Sequence, residues 1–188
     1  MIKLILASNS PRRKDLLDQV QIDYTVDPSN SEEIINETLS PEDLVIDLAR
    51  GKALEVADRH RHSIVLAADT MVIYDKHYLG KPKDTDDAEK MLHTLSGKTH
   101  RVITGVVLFD TETHRKLEAV ETTYVTFGFL SPEEIRWYVE SGEPFGKAGA
   151  YAIQGLAARF VERIEGCYNN VIGLPVYRVL DLLKEMNR

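Results

Sequence analysis

The chain has 188 residues, of which 43% are hydrophobic and 28% charged, a balance typical of a soluble globular protein with a sizeable core. Its formal net charge of −7 argues against a non-specific nucleic-acid-binding surface, although a locally positive pocket is still compatible with it. The single cysteine, Cys167, excludes an internal disulfide and a multi-cysteine metal site, and it fits a reducing compartment.

No apolar stretch of the sequence reaches membrane-spanning length, and the apolar run before Asn9 is too short for a signal sequence. We therefore expect a cytoplasmic protein with neither a membrane partner nor a nucleic-acid partner. An aromatic content of 7% also disfavours a single-strand-binding surface. The sequence leaves open whether the chain forms a homodimer.

The first predicted element is a strand that runs directly into a helix. Ile2 and residues 4–6 form a short apolar run typical of a buried strand, residues 7–10 supply small and capping side chains, and Pro11 suits a first helical turn. Arg12 and Arg13 follow at once. A helix start with two guanidinium groups attracts anions, so this stretch predicts a phosphate cradle. The alternative is an ordinary solvated arginine pair, and no Walker-type glycine-rich loop exists in the chain.

Strand and helix patterns alternate through the rest of the first half. Apolar runs predict strands at residues 23–26, 63–68 and 71–73, the last turning back to pair with residues 78–79. Apolar periodicity after capping residues predicts helices that begin at Ser40 and Asp84 and end at His60 and Leu95. Asp69 is predicted to stand at the end of the strand over residues 63–68.

The second half begins with predicted antiparallel strands and ends with a helix. β-Branched residues predict strands over 100–109, 117–127 and 160–164, and helical patterns begin at Ser131 and Val176. Residues 146–155 are dense in small side chains, which indicates close backbone approach to a ligand or another element. The whole pattern predicts a mixed α/β fold, with an elongated central sheet flanked by helices and two lobes with a cleft between them.

Carboxylates and lysines are the candidate chemical groups. Asp69 after an apolar strand is well placed for catalysis, although aspartate is also a common turn former. Glu32 and Glu33 add carboxylates in a polar loop, and such a set suits Mg²⁺ or Mn²⁺ unless the pair is solvated surface. Three lysines could supply positive charge that complements these carboxylates: Lys52, Lys81 and Lys147. The alternative is that each is an ordinary surface lysine. The six histidines show no zinc-ligand spacing.

Several motifs in order along the chain carry a family resemblance. They occupy residues 6–13, 68–70, 80–82, 96–97, 104–105, 147–155 and 173–175. Together they closely resemble the Maf family of nucleoside triphosphate pyrophosphatases. The resemblance covers essentially the whole chain and implies one domain over residues 1–188, similar to Maf and inosine triphosphate pyrophosphatases. It also implies metal-assisted hydrolysis of a nucleoside triphosphate to the monophosphate and pyrophosphate, with Mg²⁺ or Mn²⁺ as cofactor.

The resemblance further assigns roles to individual residues. Arg12, Thr70 and Gln154 match the specificity positions of the dTTP/UTP branch, which leaves modified pyrimidine triphosphates open as substrates. Asp69 would be the general base and, with Glu33, a metal ligand. The phosphate-binding set would be Ser8, Arg13, Lys52 and Lys81.

One departure and one alternative accompany this interpretation. Gly146 stands where many relatives carry aspartate, so no role is transferred to that position. Some family members are associated with septum formation, so the alternative function is a nucleotide-sensing protein that regulates cell division. The carboxylate set argues against pure sensing, because a binder of polyanions gains nothing from added negative charge unless a metal is bound.

Overall fold

The computed structural model describes residues 3–31, 34–36 and 38–188. Within these ranges the chain forms seven strands, six α-helices and two 3₁₀ turns. The strands are β1 (Lys3–Leu6), β2 (Thr25–Val26), β3 (Ser63–Tyr74), β4 (His77–Leu79), β5 (Thr99–Asp110), β6 (Lys116–Phe127) and β7 (Val161–Glu165). The helices are α1 (Pro11–Gln19), α2 (Pro41–Ala57), α3 (Thr85–Leu95), α4 (Pro132–Glu140), α5 (Tyr168–Ile172) and α6 (Val176–Met186). The 3₁₀ turns cover Ala148–Ala150 and Leu156–Phe160.

The strands of the described chain form one mixed sheet in the order β2-β1-β3-β5-β6-β7, with β4 paired to β3. Strand β1 runs parallel to β2 and to β3, whereas β3–β4 and β6–β7 are antiparallel pairs. Parallel strands at the start of the chain need helical crossovers, and α1 and α2 supply them. The predicted mixed α/β class is therefore confirmed.

The chain divides into two compact units. The first contains Met1–Thr70, Thr104–Glu121 and Gly173–Arg188, and the second contains Met71–Ile103 and Thr122–Ile172. Each unit has a buried core of its own. None of the helices in the described ranges is long and apolar enough to span a membrane.

The core of the first unit is built from small side chains where α2 packs on the sheet. Its cluster is apolar and almost fully buried, and it contains Ile5, Ala7, Ala49, Ala53, Val56, Ala57, Val65, Ala67 and Val107. The approach is close at Gly105 of β5, because a Cβ there would lie 2.6 Å from the backbone carbonyl of Val45 in α2. Glycine at this position is thus a packing requirement, since the backbone of a helix cannot move aside as a flexible side chain can.

The core of the second unit contains an aromatic cluster among aliphatic side chains. Phe127 packs edge-on against His100 and Tyr151, with ring centroids 5.0 and 4.9 Å away, and Phe160 packs edge-on against Tyr138 at 5.1 Å. His100 is buried, and its Nε2 lies 2.9 Å from the hydroxyl of Tyr151. Burial lowers the pKa of His100 to about 4, so the imidazole is neutral at physiological pH.

The predicted ends of α2 and of the strand before Asp69 are wrong, and β2 begins at Thr25 instead of Asp23. Helix α2 ends at Ala57 instead of His60, since Arg59 and His60 leave the helix and bind the carboxylate of Asp27, at 3.0 and 2.7 Å. Strand β3 continues without interruption to Tyr74, so Asp69 lies inside the strand instead of at its end.

Candidate active site

Asp69 and Lys52 form a largely buried ion pair in the first unit. Lys52 lies on α2 and Asp69 on β3, and the distance from Lys52 Nζ to Asp69 Oδ1 is 2.5 Å. The two side chains are only 14% and 10% exposed. Charges this deeply buried are tolerated when each is paired, so the ammonium and the carboxylate stabilise one another. The catalytic candidate and one phosphate-binding candidate are thus in direct contact.

The position of Asp69 follows from where the neighbouring strand stops. Strand β1 ends at Leu6, which pairs with Leu66 of β3, and the N–H of Ala7 still donates to the carbonyl of Leu66 at 2.8 Å. Asp69 therefore lies beyond the carboxyl end of β1. In α/β sheets this edge is where ligands bind, because loops and helix N-termini meet there.

Arg13 of α1 ties this edge together. Its guanidinium donates to Ser8 Oγ at 3.2 Å, to the Ala68 carbonyl at 2.8 Å, to Thr70 Oγ1 at 3.2 Å and to the Gly173 carbonyl at 2.8 Å. These acceptors come from the segments after β1, inside β3 and before α6. Arg13 accordingly fixes the backbone carbonyl of Ala68, just before Asp69, and the side chain of Thr70, just after it.

Thr70 is also held from β5. Its hydroxyl lies 2.9 Å from the hydroxyl of Thr104, which is fully buried. Because Thr70 Oγ1 also accepts a hydrogen bond from Arg13, the orientation of this hydroxyl is determined by the fold. Sequence reasoning assigned no role to Thr104, and only its place in a family motif pointed to it.

Arg12 belongs to the first turn of α1, next to Arg13. Burial lowers the pKa of its guanidinium from the ordinary value, although arginine stays protonated at any physiological pH. Its helix begins with Pro11, whose missing N–H would have had no helical partner there. The structure thus places Ser8, Arg13 and Thr70 in one hydrogen-bonded network, in which Arg13 binds both chain neighbours of Asp69. Lys52 contacts Asp69 itself, and Arg12 is next to Arg13 in sequence.

Lys81 and Gln154 belong to the second unit. Lys81 is exposed and follows Gly80, whose carbonyl accepts a hydrogen bond from the N–H of Gly149 at 3.0 Å. Gln154 is exposed in the segment that connects the two 3₁₀ turns. The lysine turn and the small-residue segment of this unit are therefore linked by a backbone hydrogen bond.

The predicted metal ligands are only partly described. Glu33, together with Glu32, lies outside the described residues. Across residues 3–31, 34–36 and 38–188, no three His, Cys, Asp or Glu side chains are grouped so that they could hold a metal ion. Asp69 is therefore the described carboxylate on which the metal prediction depends.

Comparison with known proteins decides the family. The family model described as Maf-like protein matches residues 3–186. This chain belongs to the Maf-like family.

Curated relatives match this chain over nearly their whole length. The dTTP/UTP pyrophosphatase of Ruminiclostridium cellulolyticum is 47% identical over 188 residues, covering 100% of this chain and 97% of that protein. The dTTP/UTP pyrophosphatase of Bacillus cytotoxicus is 49% identical over 187 residues, with the same coverage of 100% and 97%. Among solved structures, the Staphylococcus aureus Ham1 protein matches with a TM-score of 0.50 and 16% identity, over 99% of this chain and 100% of that one. This likeness concerns the fold alone.

Sequence reasoning missed a second group of residues in this Maf-like chain. Glu143 and Tyr138 hold the segment around Gln154, and the sequence motifs assign a role to neither of them. Lys147 was a candidate for binding anions, but its ammonium donates to the Glu143 carbonyl at 2.6 Å. No spacing in the sequence signals such contacts, because they join a helix end to a later loop.

Proposed function

We propose that this Maf-like protein hydrolyses dTTP and UTP, and modified pyrimidine triphosphates of the same shape, to the nucleoside monophosphate and pyrophosphate. Full-length relatives named dTTP/UTP pyrophosphatase support the substrate class. The observation that carries the proposal is the buried Lys52–Asp69 pair at the carboxyl end of β1, where a carboxylate is kept beside a cation. A general base needs such a defined position.

Asp69 acts as the base that takes a proton from the attacking water. The water oxygen then forms a bond to the α-phosphorus, and the bond from that phosphorus to the oxygen bridging the α- and β-phosphates breaks. Pyrophosphate leaves with the electron pair of that bond. The contact with Lys52 favours this chemistry, because the ammonium offsets the repulsion between the carboxylate and the negatively charged substrate.

The remaining candidates have two proposed roles, phosphate binding and base recognition. Ser8, Lys52 and Lys81 bind phosphate oxygens, which lowers the repulsion that an attacking water meets. For Arg13 we replace the predicted phosphate contact by a positioning role, because its guanidinium already donates to four acceptors of the fold.

Arg12, Thr70 and Gln154 read the base. The carboxamide of Gln154 has both a donor and an acceptor, which complement the O4 and N3–H of uracil or thymine. Gln154 is exposed and so available to a ligand.

The donor chemistry of the site fits a divalent cation. Carboxylate oxygens are the ligands that Mg²⁺ and Mn²⁺ prefer, and Mg²⁺ commonly uses one or two carboxylates together with substrate phosphates. Asp69 and Glu33 would hold the ion. When bound, it would neutralise phosphate charge and make water more acidic.

The test is release of pyrophosphate from dTTP and UTP in the presence of Mg²⁺ or Mn²⁺. Asp69→Asn should abolish turnover and keep measurable nucleotide binding, because it removes the base but almost no volume. The matched control is Asp110→Asn, which changes a buried aspartate at the end of β5 and should retain turnover. Near-normal hydrolysis by Asp69→Asn would refute its role as base. Binding of dTTP without pyrophosphate release by the wild-type protein would favour the nucleotide-sensing alternative.

A further inference from the structure

The segment that carries Gln154 is held on both sides by hydrogen bonds. Gln154 itself is exposed, whereas Ile153 just before it is buried. The segment has one short internal bond, from the N–H of Gly155 to the carbonyl of Ala152 at 3.0 Å. A loop of this kind keeps a single conformation only if other parts of the chain bind its polar groups.

Glu143 binds the backbone that follows Gln154. Its Oε2 accepts a hydrogen bond from the N–H of Leu156 at 3.0 Å, and its Oε1 accepts one from the N–H of Ala157 at 3.3 Å. These are the first N–H groups of a 3₁₀ turn, which lack partners within the turn itself. A carboxylate that accepts from backbone N–H groups makes stronger bonds than a neutral side chain does.

Tyr138 extends the same network to the backbone that precedes Gln154. Its hydroxyl donates to Glu143 Oε1 at 3.0 Å and accepts from the N–H of Ala152 at 3.2 Å. Burial, reinforced by the Glu143 carboxylate, raises the pKa of the Tyr138 phenol, so the hydroxyl keeps the proton that it donates. One tyrosine–glutamate pair therefore binds the loop two residues before and two residues after Gln154.

Gly155 provides a second, steric observation. A Cβ at this position would overlap both carboxylate oxygens of Glu143. Glycine therefore lets the carboxylate approach the loop backbone directly beside Gln154. The Glu143 backbone is fixed as well, because its carbonyl accepts a hydrogen bond from Lys147 Nζ at 2.6 Å.

We propose that Glu143 and Tyr138 are positioning residues that set base selectivity through Gln154. The inference rests on the proposed function, in which Gln154 reads the pyrimidine base. A carboxamide distinguishes O4 and N3–H from the reversed pattern of cytosine only if its donor and acceptor are held in a fixed direction. Loosening the loop backbone displaces the carboxamide from its place against the base, so the preference for uracil or thymine over cytosine falls.

The experiment compares kcat/KM for dTTP and dCTP in Glu143→Gln and Tyr138→Phe. We expect the preference for dTTP to fall about tenfold in each, because small misplacements of a positioning group cost one to two orders of magnitude. Hydrogen exchange at the amides of Leu156 and Ala157 should rise in Glu143→Gln, which is a readout independent of catalysis.

Asp110→Asn is the matched control for Glu143→Gln. The carboxylate of Asp110 likewise accepts from two backbone N–H groups, those of Glu112 at 2.8 Å and Thr113 at 3.2 Å, but in a turn of the first unit. This variant should lose stability with an unchanged base preference. An effect on preference equal to that of Glu143→Gln would show that selectivity follows general stability, and would overturn the inference.

A double variant tests the steric part of the argument. Gly155→Ala alone should reduce the preference for dTTP, because its methyl group displaces the Glu143 carboxylate. In the double variant with Glu143→Ala, the carboxylate is gone and the methyl group introduced at position 155 has room. The double variant should therefore lose no more of the dTTP preference than Glu143→Ala alone. Independent effects of the two changes would contradict the proposed contact.

Gln154→Ala separates the two levels of the proposal. If this variant changes the preference while Glu143→Gln and Tyr138→Phe do not, the positioning inference fails and the proposed function stands. If Gln154→Ala itself leaves the preference unchanged, the base-reading role fails, and the inference fails with it. Loss of pyrophosphate release from every nucleotide in the wild-type protein would refute the proposed function directly.

Discussion

The Lys52–Asp69 pair allows a quantitative test of the site by a double-mutant cycle. At 2.5 Å and side-chain exposures of 14% and 10%, the two charges attract one another by about 7 kcal/mol at an effective dielectric constant of about 20. The loss of hydration on burial offsets most of this attraction. The net contribution of the pair is therefore small, whereas removal of one partner leaves the other charge buried without compensation and should cost about 3–5 kcal/mol.

The variants are Lys52→Met, Asp69→Asn and their combination, and the assay is the free energy of unfolding from urea titrations followed by circular dichroism. Lys52→Met should lower the urea midpoint most, because the remaining carboxylate cannot reach solvent as a long lysine side chain can. The double variant should be more stable than the sum of the single losses predicts, by about 2 kcal/mol or more.

An exposed ion pair of the same unit provides the control for this cycle. Arg178 and Glu121 lie 2.9 Å apart with exposures of 49% and 20%, so their coupling energy should stay below about 1 kcal/mol. If the Lys52 and Asp69 effects add within about 0.5 kcal/mol, burial does not couple the two charges and the reasoning is refuted.

Three further predictions concern packing, positioning and pH. Gly105→Ala should destabilise the protein by about 2–3 kcal/mol, because its methyl group would lie 2.6 Å from the carbonyl of Val45. The control is Gly51→Ala, in the same helix as Val45, whose methyl group meets no atom within 4 Å. This control should leave stability unchanged or raise it by up to about 1 kcal/mol. Arg13→Lys should cost about 2 kcal/mol or more in urea unfolding, because an ammonium cannot reproduce the guanidinium's hydrogen bonds to four acceptors; an unchanged midpoint would contradict the positioning role. His100, with a pKa of about 4 in the folded protein and about 6.5 when unfolded, binds its proton first in the unfolded chain, so stability should fall as pH drops below about 6.5, by about 3 kcal/mol at pH 4. His100→Phe should remove about one proton from the pH dependence of unfolding over that range, and an unaltered dependence would count against the buried neutral imidazole.

Helix starts were predictable because their causes are local. Ser40 and Ser131 each precede a proline and acidic residues, and each accepts a hydrogen bond from the backbone N–H three residues later, at 3.1 and 3.2 Å. The end of α2 was not predictable in the same way. It depends on Asp27, whose carboxylate binds residues that follow the helix, and no pattern within the helix announces that contact.

Strand β3 is longer than its apolar run predicts, because it continues through the charged residue Asp69. The apolar run over residues 63–68 predicts a strand with Asp69 at its end. The strand continues because β4 pairs with its second part, from Val72 to Tyr74. The charge is tolerated at that point because Lys52 reaches it from α2, a contact that joins residues 17 positions apart.

The candidate site shows the same division between local and distant causes. The anion-attracting start of α1 can be inferred from Pro11 and the two arginines. The sequence does not show that the guanidinium of Arg13 donates to four acceptors within the protein. Arg13 binds the carbonyl of Gly173, which is 160 residues away in the chain. A sequence pattern indicates which groups could carry charge, whereas only the fold shows which of them are already occupied by its own acceptors.

Two adjacent residues of β5 connect packing with chemistry in the first unit. Thr104 holds the hydroxyl of Thr70, and Gly105 lets α2 approach the strand at Val45. Lys52 lies seven residues further along α2, two helical turns or about 10 Å from that contact. A methyl group at position 105 would push the helix outward and carry Lys52 away from Asp69. We therefore expect Gly105→Ala to lower kcat as well as stability, measured as pyrophosphate release at a temperature where the variant is fully folded. Full kcat in a folded Gly105→Ala protein would show that the helix position does not control the ion pair.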